Sequence, residues 1–134
     1  MQEIWKDIKG YEGLYQVSNL GRIKSLSKFV NNNPKSSKFG YYTKERILKT
    51  SKSNNGYLIV HLFKNSKQYT IYIHRLVAIT FIPNSNNLLQ VDHIDGNKQN
   101  NRIDNLEWVT PKENINRAWR KGLSKPHSGK YANK

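Results

Sequence analysis

The sequence predicts an α+β protein: a small N-terminal antiparallel β-sheet module followed by a strand, long loop, strand and helix. Three observations predict it. Short segments of alternating apolar and polar residues, separated by turn residues, run from the N-terminus to about residue 73. The period changes to a helical one at His74. Residues 90–120 then read strand, polar loop, strand and helix.

In WKDIKGYEGLYQVSNLGRIKSL, turn signals at Gly10, Gly13 and Asn19–Gly21 separate LYQVS and GRIKSL, the pattern of a small meander. Residues 27–44, rich in Asn, Ser, Lys and Gly, read as a basic mobile loop. RILKTSKS, GYLIVHLF and QYTIYIH are three further strands, with Tyr57, Ile59 and His61 on one face of the middle one and Leu58, Val60 and Leu62 on the other. HRLVAITFI places Leu76, Val77, Thr80 and Phe81 at helical spacing, and Pro83 marks its end. QVDH is a strand, IDGNKQNNRIDN a polar loop, LEWVT a strand, and PKENINRAWRKG a helix. Thr110 is its N-cap, Glu113 completes a capping box, and Gly122 stops it. Trp5, Trp108 and Trp119 read as core anchors.

The net charge of +14 over 134 residues sets the partner class, because a chain this basic repels itself unless a polyanion offsets the charge. Its distribution is uneven. Residues 1–90 carry 14 Lys/Arg against 4 Asp/Glu, residues 91–117 carry 4 against 5, and residues 118–134 carry 5 against none. A locally acidic segment inside a polyanion binder points to a cation site. With no cysteine, disulfides and thiolate zinc sites are excluded. The N-terminus lacks an apolar run, and LVAITFI is too short to span a bilayer, so a cytoplasmic protein with no membrane partner is expected.

Asp92 beside His93 places an oxygen ligand and a base together, the two groups that metal-assisted phosphodiester hydrolysis requires. Adjacent strand residues point to opposite faces, so the pair demands a twist or a strand end. An EF-hand fits poorly: with Asp92 at position one, Ile94 falls at position three and Asn97 where glycine is needed. Histidines at 61, 74, 93 and 127 form no close zinc pair. Spacing alone leaves open a purely structural, Asx-rich loop.

DHIDGNKQNNRIDNLEWVT resembles the HNH, or His-Me finger, endonuclease signature in the variant that ends in Asn. WKDIKGYEGLYQVSNLGRIKSL resembles the nuclease-associated module of phage and intron-encoded homing endonucleases, and IHRLVAITFIP the helix joining the two. The resemblance implies a ββα-metal nuclease unit acting on double-stranded DNA with Mg²⁺ or Mn²⁺. It makes His93 the general base, Asp92 a metal ligand, Asn105 the residue that holds the loop and orients the histidine, and Asn114 the second metal ligand, with Asn116 a neighbouring candidate. Asp95, Gly96, Asn97, Asn100 and Asn101 are read as loop-shaping. Arg22, Lys24, Arg46, Lys49, Lys52 and Arg75 are read as DNA contacts, and His74 as a packed residue. The expected division is 1–73 basic sheet module, 74–122 nuclease unit with its preceding helix, and 123–134 basic tail, in a monomer.

Overall fold

Alternation in the sequence becomes a series of short antiparallel strands in the computed structural model, which describes residues 1–31, 40–113 and 115. In chain order these are β1 (Trp5–Asp7), β2 (Tyr15–Ser18), β3 (Ile23–Ser25), β4 (Phe29–Asn31), β5 (Gly40–Tyr42), β6 (Arg46–Ile47), β7 (Ser51–Lys52), β8 (Leu58–Lys64) and β9 (Lys67–Tyr72). Helix α1 (Ile73–Phe81), β10 (Gln90–His93), a 3₁₀ turn (Ile103–Asn105) and β11 (Leu106–Val109) follow. The first sheet has the order β1-β2-β3-β6, the second β7-β8-β9, and β4-β5 and β10-β11 are two-stranded.

Four expectations change. The loop expected over 27–44 is partly a hairpin: Phe29 pairs with Tyr42 and Asn31 with Gly40. The Phe29 and Tyr42 rings meet edge-on at 5.3 Å, and Gly40 lies so close under the Phe29 ring that a Cβ there would be 1.9 Å from it. RILKTSKS is two strands in different sheets, because Leu48 N–H bonds Ile23 O and its side chain turns into the core between them. The strand expected to reach His74 stops at Tyr72, since burying Ile73 and His74 requires a helical backbone from Ile73 onward. Trp5 is half-buried outside the core, its ring covered by the Lys24 ammonium at 4.2 Å.

One apolar core serves the whole fold. Val17 and Ile23 of the first sheet, Val60 and Leu62 of β8, and Ile73 and Val77 of α1 bury together with Val91 and Leu106 of the β10–β11 ribbon. The Tyr15 hydroxyl accepts the Phe63 N–H at 3.1 Å, linking the two sheets. Pro83 holds Ile82 extended and so ends α1. Trp108 is a core anchor as expected, packing on the cluster while its indole N–H bonds Ile82 O at 3.1 Å. Residues 111–113 and 115 are helical. Thr110 Oγ1 accepts the Glu113 N–H at 3.2 Å and donates to Glu113 Oε1 at 3.1 Å, which is the cap read from sequence. Asn114, Asn116, Trp119 and the tail lie outside the described residues.

Candidate active site

The β10–β11 ribbon pairs Asp92 with Glu107 and His93 with Leu106. His93 is the last residue of β10, which meets the strand-end demand that an adjacent ligand and base impose. The chain then turns: Gly96, at φ 79°, donates its N–H to His93 O, and Ile94 N–H bonds Asn105 O. Both Asp92 and His93 are buried.

The loop that follows is fixed by its own side chains. Asp95 Oδ1 accepts from Asn97 N–H at 2.8 Å and Asn105 Nδ2 at 2.9 Å, while Oδ2 accepts from Asn100 Nδ2 at 2.9 Å. The Asn100 amide, then the Asn97 backbone, hold the Asp95 carboxyl below its usual range. Asn105 also accepts Asp95 N–H and donates to Asn100 O. Asp95 and Asn105 are thus a mutual latch on the loop. The side-chain bond to His93 comes from Asn101, whose Oδ1 lies 2.7 Å from His93 Nε2.

Tyr57, from the N-terminal segment, has in sequence only the pattern of a strand-face residue, yet it is the common neighbour of the site. Its ring stacks on His74 at 4.8 Å, lies 5.8 Å from His93, and is covered by Lys98 Nζ at 4.9 Å. Burial pushes its hydroxyl's ionisation up, and the nearby Asp92 charge adds to this. No local motif distinguishes Tyr57, because the contact joins residues 36 apart in the chain. His74 is packed as expected, 5.1 Å from the His93 ring, and burial, followed by the charges of His93 and Arg75, pushes it down to about 3. A neutral imidazole therefore lines the site. An open pocket of about 270 Å³ beside it is bounded by Tyr57, Tyr72, His74 and Arg75.

The basic residues occupy varied settings. Arg22 is paired with Glu3 and lowers that carboxyl to about 2. Lys24 is largely covered, between the Trp5 ring and Glu45. Arg46, Lys49 and Lys52 are exposed. Arg75 bonds Leu89 O at 2.8 Å and lies 5.7 Å from the Trp108 ring centre.

Among the described residues no cluster of three His, Cys, Asp or Glu forms a metal cage. Asp92 contributes one buried carboxylate, while Asn114 lies outside the described residues. A single carboxylate oxygen donor fits a hard cation that keeps most of its coordination for water and phosphate.

A strand-end Asp-His pair, an Asx-latched loop and a capped helix, carried on an antiparallel sheet, define an HNH-type finger. Residues 71–115 match the HNH endonuclease family and residues 3–63 the NUMOD4 motif. The chain is 45% identical over 118 residues to DNA endonuclease I-HmuI of Bacillus phage SP01, a match covering 88% of this chain and 59% of that one. An uncharacterized HNH endonuclease of Acanthamoeba polyphaga mimivirus is 53% identical over 70 residues, 52% of this chain and 21% of the other. A solved structure of DNA binding and cleavage by the HNH homing endonuclease I-HmuI matches with a TM-score of 0.70 at 42% identity, covering 92% of this chain and 62% of that chain. This chain thus spans about three fifths of the phage relative's length.

Proposed function

We propose that this chain is a metal-dependent endonuclease that hydrolyses phosphodiester bonds in double-stranded DNA, of the homing type carried by phages or mobile elements. The observation that carries the reading is the buried Asp92–His93 pair at the end of β10, with the His93 ring held by a hydrogen bond. His93 takes the proton from the attacking water. Asp92 and Asn114 would hold a divalent cation, Mg²⁺ or Mn²⁺, which would supply neutralisation of charge on the phosphate and on the departing 3′ oxygen. Asn105 keeps the loop closed so that His93 stays aimed. Residues 1–73 form the DNA grip, residues 74–122 the nuclease unit, and 123–134 a basic tail. Arg22, Lys24, Arg46, Lys49, Lys52 and Arg75 contact the duplex, chiefly its phosphates. The protein acts as a monomer in the cytoplasm of a bacterium or phage-infected host.

The test is conversion of supercoiled plasmid by wild type and His93→Ala with Mg²⁺, Mn²⁺ or EDTA. Metal-dependent open circles are expected, with the variant slower by roughly 100- to 10,000-fold. Retained DNA binding without cutting, on plasmid and on DNA of the source genome alike, would turn the reading to a non-catalytic DNA-binding module. Equal cutting by the variant would unseat His93.

A further inference from the structure

His93 is held by a residue whose own position is set from the other end of the chain. Asn101 Oδ1 lies 2.7 Å from His93 Nε2, and both residues are buried. A carbonyl oxygen only accepts, so with Asn101 Oδ1 as its partner Nε2 carries a ring proton. Among the described residues the amide nitrogen of Asn101 finds no partner. A buried N–H₂ left unmet costs stability. The side chain is therefore placed for its oxygen, and its seat comes from elsewhere.

That seat is the turn between β2 and β3. The turn is over-determined: Ser18 Oγ accepts the Leu20 and Arg22 N–H groups, and Gly21 N–H bonds Ser18 O. Asn19 ties it to the N-terminus through Ile4 N–H and Gln2 O, and its own carbonyl accepts Ile103 N–H at 2.9 Å. Gly21, at φ 86°, presses on Asn101 so closely that a Cβ would lie 2.9 Å from Asn101 Cβ and O. Only glycine meets both demands, the positive φ and the approach.

We infer that the Asn19–Gly21 turn and Asn101 form one supporting chain that fixes the tautomer and aim of His93. Asn101 is then a positioning residue for cleavage, and the N-terminal segment shapes the nuclease site as well as gripping DNA. The inference rests on His93 being the base of the proposed endonuclease.

The experiment compares wild type, Asn101→Ala, Asn101→Asp and Gly21→Ala by three readouts: nicking rate on supercoiled plasmid at saturating protein with Mg²⁺, DNA affinity by gel shift, and the His93 imidazole nitrogens by ¹⁵N NMR without metal. Wild type should show the Nε2–H tautomer. Asn101→Ala should lose about 10- to 100-fold in rate, the cost typical of removing a partner that orients a functional histidine, with DNA affinity unchanged and mixed tautomers. Asn101→Asp, which keeps the acceptor oxygen, should recover most of that loss, and Gly21→Ala should resemble Asn101→Ala. Should Gly21→Ala fail to fold, the Asn101 pair decides alone. Wild-type rate in Asn101→Ala, a loss lying wholly in affinity, no recovery in Asn101→Asp, or an Nδ1–H tautomer in wild type would each overturn the inference. A wild type that cuts no DNA would refute the nuclease reading instead, and the tautomer measurement would still judge Asn101.

Discussion

The β10–β11 finger and the sheets beneath it hold several of their polar side chains in different ways. In the finger, Asp95, Asn97, Asn100 and Asn105 spend their hydrogen bonds on one another, and Asn101 spends its oxygen on His93. In the sheets, cations lie on aromatic faces: Lys24 over Trp5, Lys28 over Tyr15 and Lys64 over Tyr11, at 4.2, 4.6 and 5.7 Å. A reacting centre needs fixed directions, which bonded networks supply. Charges on flexible stems can shift, and a ring face supports an ammonium without locking it.

The largest effect should come from what the two regions share. Leu62→Ala should cost about 2–5 kcal/mol, seen in denaturant as one earlier transition for both; two separable transitions would break the picture of a common core. Next comes the finger's latch. Asn105→Ala strands the Asp95 and Asn100 partners and should cost about 1–3 kcal/mol, whereas Lys28→Ala should cost less than about 1 kcal/mol; equal costs would erase the contrast between network and ring face.

A third effect is acid sensitivity at the junction of the regions. Unfolded, His74 takes up a proton below 6.5; folded, only near 3. The unfolded state thus binds more protons between those values, so this stability is complete above 6.5 and is lost as pH falls towards 3. His74→Phe should flatten the stability–pH slope in that window by up to about 1.4 kcal/mol per pH unit, and an unchanged slope would mean that His74 is not held neutral. The smallest effect belongs to the exposed cations. Arg46→Ala should reduce the log–log salt slope of DNA binding by about 0.9 and leave stability within about 0.5 kcal/mol; an unchanged slope would remove Arg46 from the interface.

Legibility followed the range of the interaction. The α+β order, α1, the Thr110 cap and the loop roles of Asp95 and Gly96 rest on neighbours in sequence, and turn chemistry or periodicity exposes them. The β4–β5 hairpin escaped because three-residue strands lie inside an Asn- and Ser-rich composition, and its signal is a ring over Gly40. Tyr57 at the site, and Asn101 rather than Asn105 against His93, depend on packing between distant segments. Position 101 is one of four asparagines between 97 and 105, and spacing does not rank them.

The shared core also bears on whether such a chain could be reassembled from parts. A joint between residues 73 and 74 looks natural on paper, where sheet gives way to helix, yet Ile73 is fully buried there beside Val60 and Leu62. A new N-terminal segment grafted at that point must bring a matching inner surface and a glycine opposite Asn101. Shuffling between relatives is therefore limited first by how the inherited halves fit each other.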